Sequence, residues 1–140
     1  VGISRTSKTP LSIYLSLEGM KVVNVPIVMG LPLPEKLFQV DQRKIFCLTI
    51  DPEALHQIRK NRLSRLGVQA DGDYADLTKV VEEVEWANRL FAENKRWPSF
   101  NVTGKALEQT AAEILKLVSM RKVNRFKQSK RFDGDEKKEE

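Results

Sequence analysis

An α/β fold, a mostly parallel sheet flanked by helices, is predicted by three features of this sequence. Short runs rich in β-branched residues alternate with longer segments of helical periodicity. Residues 45–50 are apolar apart from Thr49, as a strand buried on both faces of a parallel sheet would be. A glycine-led basic loop at residues 2–9 also opens directly into a helix start.

The elements follow in order. Pro10 stands where a helix needs no N–H, Leu11, Tyr14, Leu15 and Glu18 continue the turns, and Gly19 offers a left-handed stop, so a helix is expected over 10–18. Residues 21–25 are rich in β-branched valine and end at Pro26, which predicts a strand. A loop over 29–34 and a helical turn over 35–38 lead into the strand at 45–50. Asp51-Pro52 reads as an N-cap followed by proline at the first helical position, opening a helix whose turns are marked by Leu55, Ile58, Arg59, Arg62 and Leu66 before Gly67. From Asp76 to about Glu93, Leu77, Val80, Val81, Val84, Ala87 and Leu90 recur at helical spacing, and Trp97-Pro98 closes the segment. A brief strand over 99–102 precedes a last helix carrying Ala106, Leu107, Thr110, Ala111, Ile114, Leu115 and Val118. Order is expected to fade after Met120.

With 140 residues, 41% hydrophobic and 31% charged, the chain can bury one core and is too short for two ordinary domains. One domain over 1–120 and a charged, flexible tail over 121–140 are expected. The single cysteine, Cys47, sits in an apolar run and reads as a buried small hydrophobe, which suits a reducing compartment. No apolar stretch is long enough to span a membrane as a helix. The net charge of +5 raises the question of a nucleic-acid partner. Much of that excess sits in residues 121–131, however, and a polyphosphate loop also needs positive charge.

The loop carries the chemistry. Gly2, Ile3, Ser4, Arg5, Thr6, Ser7, Lys8 and Thr9 follow the pattern G-x-x-x-x-G-K-[ST], with Ser7 in place of the second glycine. In that pattern consecutive backbone N–H groups wrap an anion, the lysine reaches the terminal phosphates, and the hydroxyl of Thr9 holds Mg²⁺. The helix dipole at Lys8-Thr9 points the same way. Such a loop normally follows a buried strand, and only Val1 precedes Gly2, so the expected fold is of P-loop type lacking its first strand, with the natural protein extending upstream.

The run from Val1 to Leu15 resembles the regulatory proteins of pyruvate, phosphate dikinase and of phosphoenolpyruvate synthase. Similar blocks follow at Asn24-Val25-Pro26, Leu33-Pro34, Leu48-Thr49-Ile50-Asp51-Pro52, Ile58-Arg59, Tyr74-Ala75, Trp97-Pro98, Val102-Thr103-Gly104-Lys105 and Thr110-Ala111-Ala112. The resemblance implies a bifunctional enzyme: an ADP-dependent kinase acting on a threonine of its target, and a phosphorylase that uses inorganic phosphate to remove the group as pyrophosphate. Residues 24–41 look more like the dikinase-regulating branch. Pyruvate, phosphate dikinase is therefore the expected partner, in a bacterial cytoplasm or a plastid stroma, and a homodimer is left open. Three positions depart from the family's pattern: Cys47 for glycine, Asn101 for aspartate and Gln109 for glutamate. An acidic His-Asp-Asp-Gly segment that the family carries upstream of the loop, a source for the catalytic base, is absent from this chain.

On this reading residues 2–9 bind ADP, and Lys8, Thr9 and Lys105 are the expected catalytic residues. Arg5, Arg59 and Arg62 offer contacts to phosphate or target, since guanidinium forks match phosphate oxygens. For Arg59 and Arg62 the ordinary alternative, a solvated basic helix face, is preferred. Asp51 is read as an N-cap rather than a base, His56 as an exposed helix residue, and Trp86 and Trp97 as core or interface anchors. A small-metabolite kinase would explain the loop alone, and a nucleic-acid-binding module the basic tail alone.

Overall fold

The computed structural model describes residues 1–68 and 72–135. Its elements are α1 (Lys8–Leu17), two 3₁₀ turns (Glu35–Phe38 and Gln42–Lys44), β1 (Cys47–Thr49), α2 (Pro52–Arg65), α3 (Leu77–Glu93), β2 (Ser99–Asn101) and α4 (Leu107–Asp135). The α/β class is as expected, with four helices and a two-stranded parallel sheet among the described residues. Cys47 pairs with Ser99, Leu48 with Phe100 and Thr49 with Asn101.

The pairing reaches beyond the sheet. Leu48 N–H donates to the Val1 carbonyl at 2.8 Å, Gly2 N–H to the Val25 carbonyl at 3.2 Å, and Ile27 N–H to the Gly2 carbonyl at 3.1 Å. Gly2 and Pro26 thereby form an isolated parallel bridge. Residues 1–3 thus lie between residues 25–27 and β1, and the loop after Ile3 leaves from the same edge as the chain after β1 and β2.

The two faces of β1 explain its apolar character. Cys47 belongs to a core cluster with Leu55 of α2 and Val80, Val84, Ala87 and Phe91 of α3, whereas Leu48 packs with Leu11 and Leu15 of α1 and Ala111 and Ile114 of α4. Alternate residues therefore point into different helix layers, α2 with α3 on one face and α1 with α4 on the other. Cys47 is fully buried, and burial pushes its thiol up to about 12, so it is a packing residue with almost no thiolate at neutral pH.

Several boundaries differ from expectation. Residues 21–25 form no strand: Lys21, Val23 and Asn24 are exposed, and only the bridge at Pro26 pairs. β-Branched composition favours a strand only where a neighbouring strand supplies bonds and packing. The strand at 45–50 contracts to Cys47–Thr49, and the one at 99–102 to Ser99–Asn101. α1 begins two residues earlier than expected because Leu11 N–H bonds the Ser7 carbonyl, placing Lys8 in the first turn. It ends at Leu17, and Gly19, φ 86°, two residues on turns the chain away, with Met20 N–H returning to the Leu15 carbonyl. α4 continues well past Met120, to Asp135, while residues 136–140 of the expected tail lie outside the described residues.

Candidate functional site

The loop at residues 2–9 is built by unusual backbone conformations in ordinary residues. Arg5 (φ 67°) and Ser7 (φ 63°) are the two non-glycine residues with positive φ among those described, and both are left-handed turns inside this loop. Ser7 therefore takes the shape for which glycine stands in the G-K-[ST] pattern, at a cost of about 1 kcal/mol for an L side chain. Ser7→Gly is expected to be neutral or stabilising by up to about 1 kcal/mol, and β-branched Ser7→Val destabilising by about 1–2 kcal/mol, in urea unfolding. Equal stabilities for these two variants would refute the left-handed assignment.

Gly2 is required for a different reason. A Cβ there would lie 2.7 Å from the buried Thr6 hydroxyl and 3.1 Å from the Leu48 carbonyl, so the loop can start only where no side chain intervenes. The Ile3 carbonyl then accepts from both the Thr6 hydroxyl, at 2.9 Å, and Lys8 Nζ, which closes the loop on itself. Beyond it, the N–H groups of Ser7, Lys8 and Thr9 precede the first intrahelical bond of α1, and Pro10 has none to present. A helix start with free N–H groups and no acidic residue in its first turn is a positive end suited to an anion.

Lys8 is half-buried. Burial first, then the nearby Arg5 and Arg59 charges, pull its ammonium down to about 8, against the opposing pull of Glu83. Thr9 is exposed, and its hydroxyl accepts from Asn24 Nδ2 at 3.0 Å, leaving it one lone pair and its proton. Lys105 comes next to the loop: with Ser7, Pro10, Leu11, Val102, Leu107 and Thr110 it lines a depression of about 100 Å³, and its ammonium pairs with Glu113 at 3.3 Å. The structure therefore brings Lys8, Thr9 and Lys105 to one end of α1. Arg62 is exposed on α2, as expected of a solvated face.

Arg59 corrects the expectation of a solvated surface. It is only 2% exposed. Its guanidinium forks onto Glu83 of α3 at 2.6 and 3.0 Å, donates to the Tyr74 carbonyl at 3.1 Å and to the Ser4 carbonyl at 3.4 Å, and lies 4.9 Å from the centre of the Tyr74 ring. The helical spacing that suggested a surface stripe places Arg59 one turn from buried Leu55, which is the inward face of α2. Glu83 was missed in the sequence although a signal was there, since it lies three residues after Val80 and four before Ala87, both buried.

Two further expectations change. Asp51 occupies the N-cap position of α2, but its side chain makes no capping bond. Instead it accepts from Asn101 Nδ2 at 2.9 Å, while its N–H donates to the Thr103 hydroxyl at 2.8 Å and Thr103 N–H donates to Asn101 Oδ1. These bonds tie the outgoing ends of β1 and β2 together. They also give asparagine at 101 a reason, because a carboxylate there would face Asp51 with like charge. His56 is half-buried rather than exposed, with a buried Nδ1 that lacks a protein partner. Trp97 is core, its Nε1 donating to Gln42 Oε1 at 2.8 Å, and Trp86 packs partly buried against the same cluster.

Comparison with known proteins places this arrangement. The family model described as kinase/pyrophosphorylase matches residues 1–115. The pyruvate, phosphate dikinase regulatory protein of Zea mays chloroplasts is 52% identical over 122 residues, 86% of this chain and 29% of that protein. Pyruvate, phosphate dikinase regulatory protein 1 of Arabidopsis thaliana, also chloroplastic, is 50% identical over 127 residues, 89% of this chain and 32% of its own length. A Bdellovibrio bacteriovorus protein given the same regulatory name provisionally is 54% identical over 121 residues, covering 86% of this chain and 43% of that protein. The chain thus spans less than half the length of the relatives it matches. Since the matched residues take in the whole loop, both strands and the Arg59–Glu83 pair behind them, the chain belongs to the kinase/pyrophosphorylase family.

Proposed function

We propose that this chain carries the nucleotide site of a bifunctional regulator of pyruvate, phosphate dikinase, which phosphorylates a threonine of that enzyme with ADP and removes the phosphoryl group with inorganic phosphate, releasing pyrophosphate. The observation that carries this reading is the loop at residues 2–9, with two left-handed residues, a half-buried lysine and a helix start converging at one sheet edge. The names of the chloroplastic relatives support the target. The chloroplastic relatives favour a plastid as the setting, and the bacterial relative a bacterial cytoplasm.

In the forward direction the threonine hydroxyl yields its proton to a general base or solvent as its oxygen takes the β-phosphoryl of ADP, the bond to the α-phosphate breaks, and AMP leaves. Negative charge spreads over the transferred oxygens, so positioned cations and N–H dipoles are what the site must supply. Lys8 reaches for that charge, with the N–H groups of residues 4–9 around the anion and Lys105 beside the start of α1. A divalent cation fits the donor present: the exposed Thr9 hydroxyl keeps one lone pair beside its bond from Asn24 Nδ2, and Mg²⁺ is commonly held by one or two protein oxygens plus phosphates. Thr9 would hold it, and when bound it would neutralise phosphate charge. In the reverse direction inorganic phosphate takes the place of the AMP phosphate in the same loop.

The test is to incubate the full-length gene product with pyruvate, phosphate dikinase and ADP labelled in its β-phosphate. Label is expected on a dikinase threonine, and its absence would overturn the assignment. The depressed Lys8 ammonium adds a pH signature. An anion pairs with the protonated form, so in Mg²⁺-free buffer ADP affinity is expected to be full below pH 8 and to fall above it by up to about tenfold per unit. Calorimetric titrations between pH 7 and 9.5 measure this, and the decline should vanish in Lys8→Met.

A further inference from the structure

We infer that Arg59, held by Glu83, is a positioning residue that fixes the peptide between Ser4 and Arg5 so that the loop presents its N–H groups to a bound phosphate. This rests on the reading of the loop as a nucleotide site. A phosphate cradle fails if one of its carbonyls turns inward, and the peptide next to a left-handed residue is the one that flips most cheaply. Arg5, with φ 67°, is such a residue.

The Ser4 carbonyl points at Arg59 Nη2, 3.4 Å away. That is long for a hydrogen bond, and the attraction is chiefly of a buried cation for a carbonyl dipole. All peptides here are trans, so the Arg5 N–H is turned away from Arg59 as long as the carbonyl faces it. The guanidinium itself cannot swing: Glu83 grips it from α3, the Tyr74 carbonyl takes a further donor, and the Tyr74 ring lies against one face. With its Nη donors engaged, Arg59 acts on phosphate through the loop rather than by contact. Its remaining donor, Nε, is buried without a partner, as is His56 Nδ1 on the same helix.

The test separates positioning from folding. In the full-length gene product, Arg59→Met combined with Glu83→Leu replaces the ion pair by apolar residues of similar bulk and is expected to fold. Its affinity for ADP and for pyrophosphate should be about tenfold weaker, and its transfer rate at saturating ADP about 10²-fold lower, with melting temperature near wild type. Arg59→Lys keeps a cation beside Glu83 without the fork that also reaches Ser4, and should lie between the two. If the double variant does not fold, Arg59→Lys carries the test by the same measurements. Wild-type affinity and rate in either folded variant would overturn the inference while leaving the nucleotide site standing. Failure of the wild-type protein to bind ADP or pyrophosphate would overturn both.

Discussion

Lys8→Ala abolishes most phosphoryl transfer, with an expected fall of roughly 10²–10³-fold at saturating ADP, and weakens ADP binding, while the fold persists. The reason lies in how little of the structure depends on this ammonium. Among the described residues its one bond goes to the Ile3 carbonyl, which keeps a second donor in the Thr6 hydroxyl. Its charge is also a burden to the free protein, as its depressed ammonium shows. Removing it costs the fold about 1 kcal/mol or less while, on the proposed reading, taking away the cation that would meet the transferring group. Thermal denaturation alongside single-turnover transfer separates the two, and a large loss of stability with transfer intact would refute the assigned role.

The second large effect is on stability. Arg59→Met alone leaves the Glu83 carboxylate, at 18% side-chain exposure, without its cation, and the Tyr74 and Ser4 carbonyls without their donor. Breaking a buried pair from one side costs about 3–5 kcal/mol, a large share of the roughly 5–15 kcal/mol that holds a domain folded. Adding Glu83→Leu should restore most of that loss, because two apolar residues no longer strand a charge. Urea midpoints of the single and double variants measure this directly. A double variant no more stable than Arg59→Met would mean that the pair is not the source of the cost.

The parts of this molecule that sequence reading reaches are those fixed by neighbours a few residues apart. The periodicity of Val80, Val84 and Ala87 marks α3 within a residue, and Gly19 marks the stop of α1. What escapes is decided by partners far along the chain. Residues 21–25 have the composition of a strand but only Gly2 beside them, and one bridge is all that forms. Arg59 has the spacing of a surface residue, yet Glu83 lies 24 positions away across a helix contact. Asp51 has the position of a cap, and its side chain is drawn off by Asn101, 50 residues on. In each case a long-range bond prevails over a local preference, and no local pattern records which bond will form.

The parallel pairing of β1 with β2 also governs how fast the chain can reach this state. Cys47 meets Ser99 only after the chain between them has been brought back on itself, and nothing in that ladder stabilises the chain until the loop has closed. α2 and α3, packed on one another within that span, shorten the search by making part of the return path compact beforehand. Loosening the contact between them, as the loss of Arg59 does, should therefore slow refolding as well as hasten unfolding. The rate at which newly made chains reach this state is then set at the contact between two helices, away from the loop proposed to bind the nucleotide.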